Sequence, residues 1–211
     1  MKRWNQSSRL FSAVVAVVGI ATSGAAAVEP LDASSAGKIN GYSLRDTAGI
    51  PRASKDWADR KGVVYCFLGV ECPVSNGYAP QMQRLAEKFA PQGVALVGVY
   101  SELGVTRQAA AAHGEEYRLK FPCLLDTEQS LARQAGIRRV LTTVVVDPEG
   151  NMIYRGRIDD RWSPEGKRRD VPRTHELEDA VAALLAGKAP AARETSAFGC
   201  PLVFGKPAAA P

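Results

Sequence analysis

The chain runs from Val63-Val64-Tyr65-Cys66-Phe67-Leu68-Gly69-Val70 straight into Glu71-Cys72-Pro73-Val74-Ser75. The first stretch is almost continuously apolar and rich in β-branched and aromatic residues, which predicts a strand covered on both faces. Pro73 lacks an N–H and fits the first turn of a helix. Cys72 therefore falls where a buried strand gives way to a helix. Unpaired backbone N–H groups and the helix dipole stabilise a thiolate at such a junction, so Cys72 is the candidate nucleophile. The competing reading is a buried, inert thiol. Ser75 occupies the place where a Cys-X-X-Cys motif carries its second sulfur, so Cys72 has no local disulfide partner.

Downstream, Met82, Leu85, Ala86 and Phe89 recur at helical spacing, and Pro91 and Gly93 end that helix. Val94 to Tyr100 reads as a second buried strand. Thr106 caps an alanine-rich helix reaching about His113. Phe121 to Leu125 is a short strand, Ser130 to Gln134 a short helix, and Thr143 to Val146 a third buried strand. Asp147-Pro148-Glu149-Gly150 is a turn that returns Asn151 to Arg157 as a hairpin partner. Leu177, Val181, Leu184 and Leu185 form one stripe of a last helix, closed by Gly187. Upstream, Ile39 to Leu44 reads as a strand and Asp46 to Gly49 as its turn. Strands alternating with helices, then a hairpin and a helix, predict an α/β sandwich with a mixed central sheet.

The N-terminus reads as a signal segment, residues 1–27. Lys2, Arg3 and Arg9 precede an apolar run from Leu10 to Ile20 that is too short to span a bilayer, and Ala25-Ala26-Ala27 suits a signal peptidase. The alternative is an uncleaved N-terminal anchor. Residues 28–36 are small and polar, a mobile linker. Residues 37–187 form the domain, and 188–211 a tail containing Cys200. Cleavage removes three of the 27 basic residues and none of the 22 acidic ones, which leaves a net charge of about +2. Nothing in that balance argues for nucleic acid. All four cysteines lie in the exported portion, where disulfides persist, but four are too few for a disulfide scaffold.

The chain resembles thioredoxin-like proteins, in particular the exported redoxins that share their fold with alkyl hydroperoxide reductases and thiol-specific antioxidants. The likeness rests on the strand-then-cysteine junction ending in Cys72-Pro73-Val74-Ser75 and on Pro80, at a position where thioredoxins carry a helix-kinking proline. It rests also on the run from Phe121-Pro122-Cys123-Leu124-Leu125-Asp126 to Thr143-Val144-Val145-Val146-Asp147-Pro148-Glu149-Gly150. The resemblance implies a thioredoxin-like sandwich and thiol chemistry at Cys72, shaped by Pro73 and Pro80. Three positions depart from it. Ser75 replaces the resolving cysteine. Leu141 stands where thioredoxins have a cis-proline. Gly69 and Tyr65 replace the threonine and proline of the peroxiredoxin pattern.

The expected chemistry is attack of Cys72 on a protein disulfide or a hydroperoxide. It forms a mixed disulfide or a sulfenate, resolved by Cys200 or an external thiol reductant. About a dozen residues separate Cys200 from the last helix, a reach of roughly 40 Å, enough to cross the domain. Cys200 is thus either the partner of Cys72 or a free tail thiol. Ser75 either supports the thiolate or caps the helix. Cys66 and Cys123 read as core residues. His113 reads as a helix-end cation and His175 as the start of the last helix. One cysteine and a remote histidine make a poor metal site, so neither metal nor cofactor is expected. Glu71 points to solvent, and Tyr78, Trp57 and Trp162 pack. Arg155, Arg157 and Arg161 are either a solvated face or, folded over Cys72, anion-binding. The contrasting function is a non-catalytic binding module, handling a metal or docking a partner. A partly exposed Cys72 sulfur near the helix N-terminus, with the tail or a groove beside it, would favour the enzyme, whereas a fully buried sulfur, or a tail pinned far away, would favour the binding module. No stable membrane anchor is expected after cleavage, which places the protein in the periplasm or outside the cell.

Overall fold

The computed structural model describes Met1, residues 37–163 and residues 165–206. The chain divides into two compact units, Met1–Ala33 and Ser34–Pro211, and all that follows concerns the second. The expected signal segment and nearly all of the linker lie outside the described residues.

The apolar run forms β3 (Gly62–Leu68), every residue of it buried. Such a strand needs neighbours on both edges and cover on both faces. It pairs in parallel with β4 (Val94–Tyr100) from Gly62↔Val94 to Leu68↔Tyr100, and antiparallel with β6 (Thr143–Val146). The seven-stranded sheet has the order β2-β1-β5-β4-β3-β6-β7, with β5 at Cys123–Leu125 and β7 at Met152–Gly156.

Alternation sorts the side chains into two layers. Val64, Cys66 and Leu68 face a cluster with Tyr78, Met82, Leu85 and Phe89 of α1 (Pro73–Phe89) and Leu177 and Val181 of α4 (Glu176–Leu185). Val63, Tyr65 and Phe67 face Leu131, Ala132 and Ala135 on and just after α3 (Ser130–Gln134), together with Leu202 from the tail. Cys72 belongs to this second layer. Among the described residues no helix is long and apolar enough to cross a membrane.

Thr106 does cap α2 (Arg107–Glu116), its hydroxyl accepting the Ala109 N–H at 3.1 Å. The main difference from the sequence reading is at the first strand. The expected strand at 39–44 is displaced to β1 (Ser43–Asp46), which forms a hairpin with β2 (Pro51–Ala53). Asp46 fixes that register, its carboxylate accepting the Ile50 N–H at 2.8 Å and the Arg52 Nε at 3.0 Å. Pro51 is tolerated because β2 is an edge strand.

Candidate active site

Cys72 is the N-cap of α1, in extended backbone (φ −82°, ψ 109°), with Pro73 as the first helical residue. The first intrahelical bond runs from the Asn76 N–H to the Cys72 carbonyl at 2.9 Å. The helix therefore does not use the N–H groups of Val74 and Ser75, and the positive end of its dipole lies at the cysteine. Pro80 is inside α1 and cannot donate to the Asn76 carbonyl.

The Cys72 side chain is only 1 % exposed, where a partly exposed sulfur was expected. Cys200, half-buried, packs onto the cluster that contains Cys72, and its thiol neighbours that of Cys72. The Cys200 thiol is pushed up to about 11, first by burial, then by the neighbouring Cys72 and by the charge of Glu102, against the opposing pull of Arg139.

Backbone bonds on both sides hold the tail in place. The Cys200 carbonyl accepts the Val140 N–H at 3.0 Å, and the Leu202 N–H donates to the Arg138 carbonyl at 2.9 Å. Arg139 Nη1 reaches the Gly199 carbonyl at 3.0 Å. A side chain at Gly199 would run into the Val140 carbonyl, so only glycine allows this approach. Earlier in the tail, Trp162 stacks on Phe198 with ring centroids 5.3 Å apart. Later, Gln129 donates to the Val203 carbonyl at 2.7 Å and accepts the Gly205 N–H at 2.8 Å.

Ser75 is fully buried and does not cap the helix, since Cys72 holds that position. Its hydroxyl accepts the Gly69 N–H at 3.3 Å and so ties down the loop before Cys72. Leu141 is buried with a left-handed backbone (φ 64°), a strained conformation for a branched side chain. Its N–H donates to the Phe67 carbonyl at 2.5 Å, which joins the tail-bearing loop to the end of β3. Among the described residues no peptide bond is cis.

Sequence reading missed Glu102, Arg139, Gln129 and the partners of Asn76. Glu102 Oε2 accepts the Val70 N–H at 2.7 Å. Glu102 Oε1 and Cys72 Cβ both lie within 3.0 Å of the point a Gly69 Cβ would occupy, so the carboxylate and the Cys72 side chain flank the gap that glycine leaves. Burial, chiefly, with Glu71 adding, holds the Glu102 carboxyl above its ordinary range, although the Val70 bond works against the shift. One signal was available. Glu102 and Cys72 both follow the carboxyl ends of neighbouring parallel strands, where α/β sheets place their sites.

Asn76 bonds the Val70 carbonyl at 3.1 Å and His113 Nε2 at 2.9 Å, and His113 Nδ1 is 2.7 Å from the Tyr100 hydroxyl. His113 is thus a buried imidazole whose proton affinity burial lowers, not a helix-end cation. The three arginines do not cover Cys72. Arg155 pairs with Glu194, Arg157 with Glu176, and Arg161 with Asp159 while lying over the Tyr78 ring. His175 is exposed at the start of α4, and among the described residues no three or more His, Cys, Asp or Glu gather as a metal site.

Cys66 and Cys123 are buried, and burial raises both thiols, Cys123 to about 12. They sit across Gly98 in register, Cys66↔Gly98↔Cys123. Two strand spacings put their Cα atoms roughly 10 Å apart, beyond the ~7 Å limit of a disulfide. A cleft of about 300 Å³ lined by Trp57, Arg60 and Tyr65 opens at the other end of β3, near Gly62 and Val63, away from the thiols.

The AhpC/TSA family model matches residues 37–155. Two curated relatives carry the name thiol-disulfide oxidoreductase ResA. The one from Halalkalibacterium halodurans is 30 % identical over 96 residues, which are 44 % of this chain and 52 % of the relative. The one from Bacillus subtilis is 29 % identical over 112 residues, 53 % of this chain and 61 % of the relative. The chain thus spans little more than half the length of these relatives. Among solved structures, a hypothetical protein from Sinorhizobium meliloti 1021 superposes with TM-score 0.72 at 24 % identity over 81 % of this chain and 94 % of that one. Peroxidoxin BcpB from Mycobacterium tuberculosis superposes with TM-score 0.53 at 22 % identity over 71 % of this chain and 94 % of that one. At those identities the likeness is one of fold, and that fold is thioredoxin-like.

Proposed function

The chain belongs to the AhpC/TSA family, and on that premise we propose that it is an exported thiol–disulfide oxidoreductase whose redox pair is Cys72 and Cys200. The observation that carries the reading is the Cys200 thiol beside Cys72 at the N-terminus of α1, on a tail held by backbone bonds. The tail supplies the second sulfur that Ser75 does not. Two protein thiols and a substrate disulfide give the Cys72–Cys200 disulfide and two substrate thiols, and an external thiol reductant reverses the exchange. Cys72 stands at the N-terminus of α1, Ser75 and Asn76 hold the preceding loop, and Leu141 links the tail-bearing loop to β3. The names of the curated relatives support thiol–disulfide exchange.

A hydroperoxide substrate is the less favoured chemistry. Tyr65 stands at one of the peroxiredoxin-pattern positions, and its hydroxyl is engaged with Tyr42 at 3.2 Å. The buried Cys72 sulfur favours the second reading, a non-catalytic binding module, while the Cys200 thiol beside it favours the enzyme.

The test compares wild type with Cys72→Ser on a protein disulfide and on hydrogen peroxide, with mass mapping of the oxidised wild type. The expected results are a Cys72–Cys200 bridged peptide and loss of disulfide turnover in the variant. Equal activity in both proteins ends the role of Cys72, and a freely alkylatable Cys200 after oxidation ends the pairing. For export, the protein isolated from cells is expected to begin at Val28, and a retained Met1 segment would contradict cleavage.

A further inference from the structure

We propose that the cleft at the start of β3 is a binding site for a small organic anion, a carboxylate carried on a flat apolar body such as an aromatic acid. The site lies away from the cysteine pair and stands independently of the redox reading.

The cleft is built by segments far apart in the chain. Residues 37–41 line it together with the turn between β6 and β7. Those two segments are joined by backbone bonds, from the Ile39 N–H to the Gly150 carbonyl and from the Met152 N–H to the Gly37 carbonyl, each 2.9 Å. Gly150 has a left-handed backbone (φ 84°), and a Cβ there would stand 2.7 Å from the Ile39 carbonyl oxygen, so glycine permits the close pairing. The short helical turn Ser54–Trp57 and the start of β3, from Gly62 to Tyr65, complete the lining. A volume of about 300 Å³ is at the lower end for small-molecule sites and suits a ligand of roughly one or two rings.

Two phenols beside the cleft hold one proton more than they can use between them. Trp57 Nε1 donates to the Tyr42 hydroxyl at 2.8 Å, and that hydroxyl lies 3.2 Å from the Tyr65 hydroxyl. An indole N–H only donates, and each phenol has one proton to give. One phenolic proton makes the Tyr42–Tyr65 bond. The other has no acceptor among the described residues. Both tyrosines are buried, and burial, the largest cause, raises both phenols, so they stay protonated donors. Tyr65 is the one that lines the cleft. An acceptor bound there sets the direction of the whole chain: Trp57 N–H to Tyr42, Tyr42 O–H to Tyr65, and Tyr65 O–H to the ligand. A buried donor left unpaired is costly, so the cleft favours an acceptor.

Charge selects an anionic acceptor. Lys38, Lys55 and Arg60 line the cleft with Asp147 and Glu149. Asp147 is already engaged, its two carboxylate oxygens accepting the Asn151 N–H and the Asn151 side-chain amide, each at 2.8 Å. Arg60 lies 3.4 Å from Asp59, whereas among the described residues neither lysine is paired with a carboxylate. Two exposed ammonium groups and a buried phenolic donor thus stand against the exposed Glu149.

The rest of the lining selects an apolar body. Trp57 is half-buried, and Ile39 and Val63 are buried beside it. A bare inorganic anion would leave this surface wet, and a neutral apolar ligand would leave the phenol without an acceptor. A carboxylate on a ring answers both.

The test is isothermal titration of the full chain with 2-naphthoate, with its neutral amide 2-naphthamide, and with inorganic phosphate as competitor. A single naphthoate is expected to bind per chain, about tenfold tighter than the amide, because a hydrogen bond to a charged group outweighs a neutral one. Phosphate at equal concentration is expected not to displace it. Tyr65→Phe is expected to weaken naphthoate about tenfold. The double variant Lys38→Gln, Lys55→Gln is expected to weaken it about fivefold and to flatten its salt dependence. Tyr65→Phe alters a buried side chain, so its urea midpoint is measured alongside, and the lysine variant, changed only at the surface, tests the site without touching the core. No binding of naphthoate, equal affinity for acid and amide, displacement by phosphate, or unchanged affinity in the lysine variant overturns the proposal. Cys72→Ser is expected to bind naphthoate as wild type does, so failure of the redox reading and failure of this site are separate results.

Discussion

His113 bridges the Tyr100 hydroxyl and Asn76, and Asn76 in turn holds the Val70 carbonyl beside Cys72. Burial lowers its proton affinity, so the unfolded chain binds that proton better than the folded one. The stability His113 contributes is present above the unfolded value, near pH 6.5, and is lost as pH falls through the folded value. The urea midpoint is expected to fall between pH 7.5 and pH 5. In His113→Gln that slope should flatten, and an unchanged slope would place the acid sensitivity elsewhere. Glu102 has the opposite sign. Its carboxyl is raised mainly by burial, so the folded chain holds the proton more tightly and acid relieves a cost present above the folded value. Glu102→Gln keeps an acceptor for the Val70 N–H and loses the charge. It is expected to raise the urea midpoint at pH 7 more than at pH 4, and an equal shift at both would contradict the assigned sign. Sequence alone exposed neither residue, because each bonds a group at least 30 positions away, the Val70 backbone N–H for Glu102 and the Asn76 side chain for His113.

At the scale of elements, the central strands follow from composition, and the glycine within β4 follows from packing. A Cβ at Gly98 would stand 2.7 Å from Cys123 Sγ and 2.9 Å from Leu68 Cδ1. Gly98→Ala is expected to cost about 1–3 kcal/mol in denaturant unfolding, as overpacking does in closed cores. Thr106→Ala removes the single side-chain cap of α2 and is expected to cost about 1 kcal/mol by the same measurement. Thr106 was legible because capping is local chemistry. The β1–β2 hairpin was not legible at its true register, because Asp46 sets it by choosing Ile50 and Arg52 as partners.

At the scale of the whole molecule, the tail crosses the sheet edge and closes over the site. Thr195 lies against β7, its N–H bonded to the Arg155 carbonyl at 3.1 Å. Gln129, 1 % exposed, binds the carbonyls of Ser101 and Val203 and the N–H of Gly205, and so joins the end of β4, α3 and the tail. Gln129→Ala leaves these three backbone groups unpaired. It is expected to speed alkylation of both Cys200 and Cys72 several-fold with the far-UV spectrum unchanged. Wild-type rates in the variant would show that the bonds at Gly199 to Leu202 hold the tail by themselves.

The sequence by itself determined the α/β layering and the position of Cys72 at a strand-to-helix junction. Both follow from periodicity and capping within a few residues of one another. The apolar run from Val63 could only be a strand covered on both faces, and Pro73 could only begin a helix without losing a bond. The tertiary structure alone decided that Cys200 lies beside Cys72, that Ser75 anchors a loop instead of capping the helix, and that Glu102 and Cys72 flank Gly69. These contacts join segments far apart in the chain, and no local propensity encodes them. They are fixed by the order of the strands, by a glycine that lets the tail touch Val140, and by backbone hydrogen bonds that must find partners once water is excluded.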